Sequence, residues 1–103
     1  MPKGKRLTAQ QIMDNYKPGD MLPTQQPEQF WTERLAQART TKISNDKTLY
    51  QDLAERGQQK PILLTQGDAL YTKPTIIDGH HRLALMHHIN PQQFVKYRHR
   101  RED

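Results

Sequence analysis

The chain has 103 residues, room for one domain with a small core, and one third of its residues are hydrophobic. Sixteen Lys and Arg against eleven Asp and Glu give a formal charge of +5, a balance that favours polyanionic partners such as nucleic acid or nucleotides. There is no cysteine, so disulfides and thiol chemistry are excluded and zinc would have to rely on His and carboxylates.

No apolar run approaches the roughly 18 residues that a membrane span needs. The N-terminus, MPKGKRLTAQQ, is charged and lacks the apolar core of a signal peptide, so a cytoplasmic protein is expected. Residues 1 to 6, with Lys3, Lys5 and Arg6, read as a basic arm. Thr8 can cap a short helix carrying Ile12, Met13 and Tyr16, which ends before KPGD. DMLPTQQP is then a proline-bounded loop.

Pro27 suits a first helical position, and Phe30, Trp31, Leu35 and Ala38 recur at helical spacing over residues 28 to 39. That register places Trp31 in the core rather than on a base. Ser44 or Asn45 can cap the next helix, with Leu49, Tyr50 and Leu53 on one face and Gly57 at its end. PILLT predicts a buried strand, QGD a turn, ALYT a weaker strand and TIID another strand. A helix follows from His80 to Ile89, stopped by Asn90-Pro91. FVKYRHR alternates and predicts a half-buried final strand with a basic end. This order predicts a small α+β (or α/β) domain.

Four of the five histidines fall in DGHHRLALMHH, residues 78 to 88. Two helical histidines share a metal ion when they are four apart. Here they are adjacent or seven apart, and seven residues span about 10 Å of helix, too far for one ion. No direct transition-metal site is therefore expected. His87 and His88 suit the negative end of the helix dipole. The first half of the cluster fits an anion better. A strand ending at Gly79 with a helix starting at once exposes unpaired backbone N–H groups, and His80, His81 and Arg82 add side-chain donors. The competing reading pairs Arg82 with an acidic side chain and uses His81 to cap the turn.

The segment from LAERGQQKPILLT to TIIDGHHRLAL, and roughly residues 46 to 98 as a whole, resembles the ParB/sulfiredoxin superfamily. In that family a helix ending in Gly leads to a P-I/V-x-V strand, a hairpin, and a strand running into G-x-x-R and a helix. Upstream, MLPTQQPEQFWTERLAQART resembles small ParB-like domain proteins of phages. The resemblance implies a small mixed sheet flanked by helices over residues 28 to 99. Residues 1 to 27 would then be a basic arm and loop with a short helix, and 100 to 103 a charged tail. It also implies a phosphate or nucleotide pocket, with Gly79, His81 and Arg82 at the phosphate-contacting positions.

The sulfiredoxin cysteine would align near His80, so sulfiredoxin activity is excluded. DGHHR resembles the motif of small-molecule kinases of this fold that phosphorylate serine, in which Asp78 would act as a base or organise a metal. Other members are described as ParB-like nucleases or ATPases. Glu28 and Glu55 are further candidates for a base, and capping the following helix is the competing role for Asp78.

Three functions follow as expectations. The first is a phosphate- or nucleotide-binding module acting with DNA in a sequence-tolerant way. Lys3, Lys5, Arg6, Lys96, Arg98, Arg100 and Arg101 would lie along the nucleic-acid backbone. The second is a kinase, ATPase or nuclease working at the same site with ATP, ADP or CTP and Mg²⁺. The third is a phage-type protein that binds a host protein.

Overall fold

The computed structural model describes residues 6–42, 47–67 and 72–100. A two-residue strand β1 (Leu7–Thr8) leads into α1 (Ala9–Asn15). The Thr8 hydroxyl accepts from Gln11 N while the Gln11 side chain accepts from Thr8 N, a reciprocal cap. β2 (Lys17–Pro18) follows, then the long helix α2 (Pro27–Thr40) with Pro27 in its first turn and Glu28 beside it. α3 is Leu49–Arg56, β3 Ile62–Thr65, β4 Thr75–Asp78 and α4 His80–Ile89. β5 (Phe94–Val95) and β6 (Tyr97–His99) complete the described order.

Four strands form a mixed sheet in the order β2-β4-β3-β6. β4 runs parallel to β2 and antiparallel to β3, and β6 runs parallel to β3. β1 and β5 make a separate antiparallel ribbon. The fold is thus mixed α+β. Phe30, Ile12, Ile62, Leu64, Ile76, Leu83 and Leu85 are fully buried, and each such side chain contributes roughly 1.5–3 kcal/mol relative to exposure. α4 lies centrally, packed mainly on α2 and also on α1, α3 and β3. Among the described residues no helix is long and apolar enough to cross a membrane.

Several expectations change. The boundary expected at residue 28 is not a boundary in the packing. Ala9, Ile12 and Tyr16 belong to the same buried cluster as Leu64 and Leu83, and β2 is part of the main sheet. α3 is capped by Thr48 in a reciprocal box with Gln51, rather than by Ser44 or Asn45, which lie outside the described residues. Thr48 also faces Lys42 in an isolated antiparallel bridge just before the helix starts. Gly57 ends α3 with a φ of 74°, as its position suggested.

FVKYRHR is two strands, not one. Between the two strands Lys96 O accepts from Ile62 N of β3 at 2.9 Å, and the Gln58 amide bonds Lys96 as well. Gln58 Oε1 accepts from Lys96 N at 2.7 Å, and Gln58 Nε2 donates to Lys96 O at 2.7 Å. β5 pairs with β1 while β6 pairs with β3. Of the strand expected over ALYT, Ala69, Leu70 and Tyr71 lie outside the described residues, as do Lys3, Lys5 and Arg101.

Candidate functional site

β4 delivers Asp78 to one end of the sheet, and Gly79 turns the chain into α4. Gly79 has φ 97° and ψ 20°, a left-handed conformation that L side chains resist. A Cβ there would sit 2.7 Å from Ile62 Cδ1 and 3.2 Å from an Arg82 guanidinium nitrogen. The backbone bend and the seating of Arg82 therefore both require glycine.

No side chain caps α4, and its first turn carries no acidic residue. Asp78 thus does not cap the helix, and neither does His81. The first intrahelical bond runs from Leu83 N to Gly79 O at 2.9 Å. The backbone N–H groups of the preceding turn carry the positive end of the helix dipole toward the space in front of them.

That space is a pocket of about 720 Å³. Asp78, Gly79, His80, His81 and Arg82 line it from α4 and its approach, and Asp20, Gln37, Ala38, Thr41 and Leu49 close it from elsewhere in the chain. The five residues of DGHHR share this wall, and each does something different.

Arg82 is the cation of the site. Its Nε is buried and has no hydrogen-bond partner, and among the described residues its side chain makes no ion pair. The alternative of a structural pairing with an acid is therefore absent from this arrangement. Leaving a buried donor unpaired costs about 1–3 kcal/mol, more for a charged group, so the position is one an incoming acceptor would relieve.

His80 is buried, and its ring is tied into the fold. Gly19 N donates to its Nε2 at 3.2 Å, which leaves the proton on Nδ1, 3.5 Å from Asp20 Oδ2. Its ring meets Phe30 nearly edge-on at 5.5 Å and tilts against Trp31 at 6.1 Å. Burial pushes its pKa down, Asp20 pulls it up, and Arg34 pushes it down again, leaving it below the ordinary 6.5. The lowered pKa favours the neutral imidazole, and the ring joins β2's exit to α4. Trp31, expected in the core, is half-buried and packs against it.

His81 reaches α2, where its Nε2 lies 2.8 Å from Gln37 Oε1, so Nε2–H donates to the amide oxygen. Its pKa is lowered by burial first and by Arg34 next. Asp78 is exposed at the pocket wall and, through the register Asp78–Leu63–Arg98, lies two strands from Arg98. Two inter-strand spacings are about 10 Å. Lys96 and Arg98 thus extend from the pocket's end of the sheet, both exposed, while Arg100 continues toward the other end. Arg6 is elsewhere, its guanidinium carbon 5.2 Å from the centre of the Phe94 ring.

The sequence reading missed Asp20, Gln37, Thr41 and Leu49. Asp20 stood in a loop and Thr41 just past α2, while Gln37 and Leu49 stood on helices whose rotation about their axes no local signal fixes. Glu28 and Glu55, weighed as bases, do not line this pocket, and Glu55 pairs with Lys47. At the far end of α4, His87 Nε2 meets Gln10 Oε1 at 2.7 Å and His88 is exposed. Among the described residues no group of three or more His, Cys, Asp or Glu side chains is gathered to hold a metal ion.

Compared with protein-family models, with curated proteins and with solved structures, the chain matches none.

Proposed function

We propose that the chain is a ParB-like module that binds the phosphate of a nucleotide, and that it acts with DNA in a sequence-tolerant way. The observation that carries this reading is Arg82, a cation with a buried, unpartnered Nε, seated against Gly79 beside an uncapped helix N-terminus. Phosphate oxygens supply the acceptors that Arg82 and the α4 N–H groups lack. The pocket's volume suits a nucleotide-sized ligand, with Ala38, Thr41 and Leu49 as the less charged wall for its organic part. Lys96, just before β6, and Arg98, in that edge strand, offer a path for a phosphate backbone.

A second reading, a kinase, ATPase or nuclease at the same site, is favoured by one observation: two carboxylates, Asp20 and Asp78, line the pocket that holds Arg82. Mg²⁺ bound to a nucleotide commonly takes only one or two protein carboxylates, the rest of its shell being water and phosphate. Asp20 and Asp78 would be those carboxylates, and the ion would shield phosphate charge. Asp78, free of any capping bond, is also placed to accept a proton from an attacking hydroxyl.

A thermal-shift panel of ATP, ADP and CTP with Mg²⁺ tests the first reading, since a ligand of the native state raises its midpoint. Arg82→Ala is expected to lose that shift, a drop in affinity of more than tenfold. No shift with any nucleotide in the unaltered protein would end the reading. Asp78→Asn separates the two readings. If the protein is an enzyme, this variant keeps the shift and loses product formation from ATP with serine, or from plasmid.

A further inference from the structure

Away from Gly79, α4 borders a second hollow. With α1 and α2 it encloses a groove of about 330 Å³ that shares no lining residue with the pocket above. Glu28, Trp31, Thr32 and Leu35 stand three or four residues apart, so one stripe of α2 lines it. Met13 lines it from α1 and the buried Ala84 from α4. Met13, Trp31 and Leu35 pack on the core cluster yet stay half-buried, so the groove shows apolar surface that the fold leaves uncovered. The Trp31 ring is held edge-on against Phe30 at 5.1 Å, so little further ordering is needed when a partner covers it.

The charge here runs against that of the whole chain, which is +5. Glu28 lines the groove and also, with Glu33, a shallow hollow that adjoins it on α2. Both carboxylates are exposed, and among the described residues neither forms an ion pair. Asp14 on α1, also without an ion pair among the described residues, accepts from the amide of the groove-lining Gln10 at 2.7 Å. No Lys or Arg lines either hollow.

We propose that this groove docks a cationic amphipathic helix of a partner protein. Its apolar side chains cover Trp31, Leu35 and Met13, and its Lys or Arg side chains meet Glu28 and Glu33. Apolar residues three and four apart on such a helix match the spacing of the stripe on α2. A rigid aromatic at the centre of the contact, ringed by charge, is the arrangement that concentrates binding energy in few residues. Charge selects the occupant, because unpaired carboxylates attract a cationic helix and repel both nucleic acid and an acidic helix. The proposal does not rest on the phosphate reading, and either stands if the other fails.

The chain contains one tryptophan, so Trp31 emission reports on the groove directly. Titration of the full chain at low ionic strength with a tryptophan-free Lys/Leu amphipathic helical peptide is expected to move that emission to shorter wavelength and to saturate. A Glu/Leu peptide of the same pattern and a Lys/Ser peptide of the same charge are expected to bind roughly tenfold more weakly. Thr32→Lys, an exposed change within the groove, is expected to weaken the Lys/Leu peptide roughly tenfold while leaving the unfolding midpoint in place. Glu28→Gln combined with Glu33→Gln is expected to weaken it roughly fivefold and to narrow its lead over the Glu/Leu peptide. Absence of a saturable shift, equal binding of the Lys/Leu peptide and either control, or binding unchanged in both variants overturns the proposal. An emission that shifts with protein concentration alone, with a dimer seen in sedimentation, also overturns it by assigning the groove to a second copy.

Discussion

At the scale of single residues, the motif DGHHR divides its labour. Gly79 supplies a conformation, Arg82 a charge, His81 a bond to α2, and His80 a buried joint between β2's exit, α2 and α4. The pKa of His80 is lowered, chiefly by burial, so the folded state holds the neutral form. The unfolded chain takes up a proton at the ordinary value of about 6.5. The stabilising contribution is therefore whole above that pH and is lost as pH falls through the lower folded value. His81 and His99, also lowered by burial, act in the same direction. Urea unfolding at a series of pH values is expected to show stability falling below about pH 6.5. His80→Gln is expected to be less stable at neutral pH and to show a shallower fall. A stability that holds or rises on acidification would show that His80 is not held neutral.

Elements follow local chemistry where that chemistry is self-contained. Thr8 with Gln11 and Thr48 with Gln51 are reciprocal caps whose partners lie three residues apart, so they form wherever the chain goes. Thr8 as a cap was legible in advance; its reciprocal bond with Gln11 was not. The second was overlooked because Ser44 and Asn45 stood nearer the expected start. Thr48→Ala is expected to cost about 1 kcal/mol, read as a lowered unfolding midpoint in urea. The equivalent change at Ser44 is expected to cost nothing measurable, and the reverse order would restore the earlier cap assignment. The split of FVKYRHR into β5 and β6 was not legible, because the two halves pair with different distant strands, β1 and β3. An alternating pattern reports which side chains face inward. It does not report which neighbour each residue pairs with.

At the scale of the whole molecule, the N-terminal segment is part of the fold. β1 pairs with β5, α1 buries Ile12 against α4's side of the core, and β2 extends the main sheet beside β4. Gly19 fits so closely that a Cβ there would lie 2.5 Å from Ile76 O. Tyr16 adds a polar anchor, with its hydroxyl 2.9 Å from His99 Nε2 and accepting from Gln66 Nε2 at 2.7 Å. Removing residues 1 to 18 is accordingly expected to abolish cooperative unfolding, measured by circular dichroism on heating, rather than to trim a dispensable arm. A truncated chain that melts sharply near the intact one would show that the segment is peripheral.

The sequence by itself determined the mixed α+β class, the span of α4, the glycine at its start and the cation three residues later. These depend on period, on capping and on a residue without a Cβ, all of which act within a few positions of the chain. Only the tertiary structure decided that Arg82 has no acidic partner, that His80 faces inward, and that Asp20 and Gln37 come to the same place. Those facts depend on how α2 and the exit of β2 are rotated and packed against α4. Packing of that kind is set by contacts between residues some 44 to 61 positions apart, as in Gln37 with His81 and Gly19 with His80, and no local pattern encodes it.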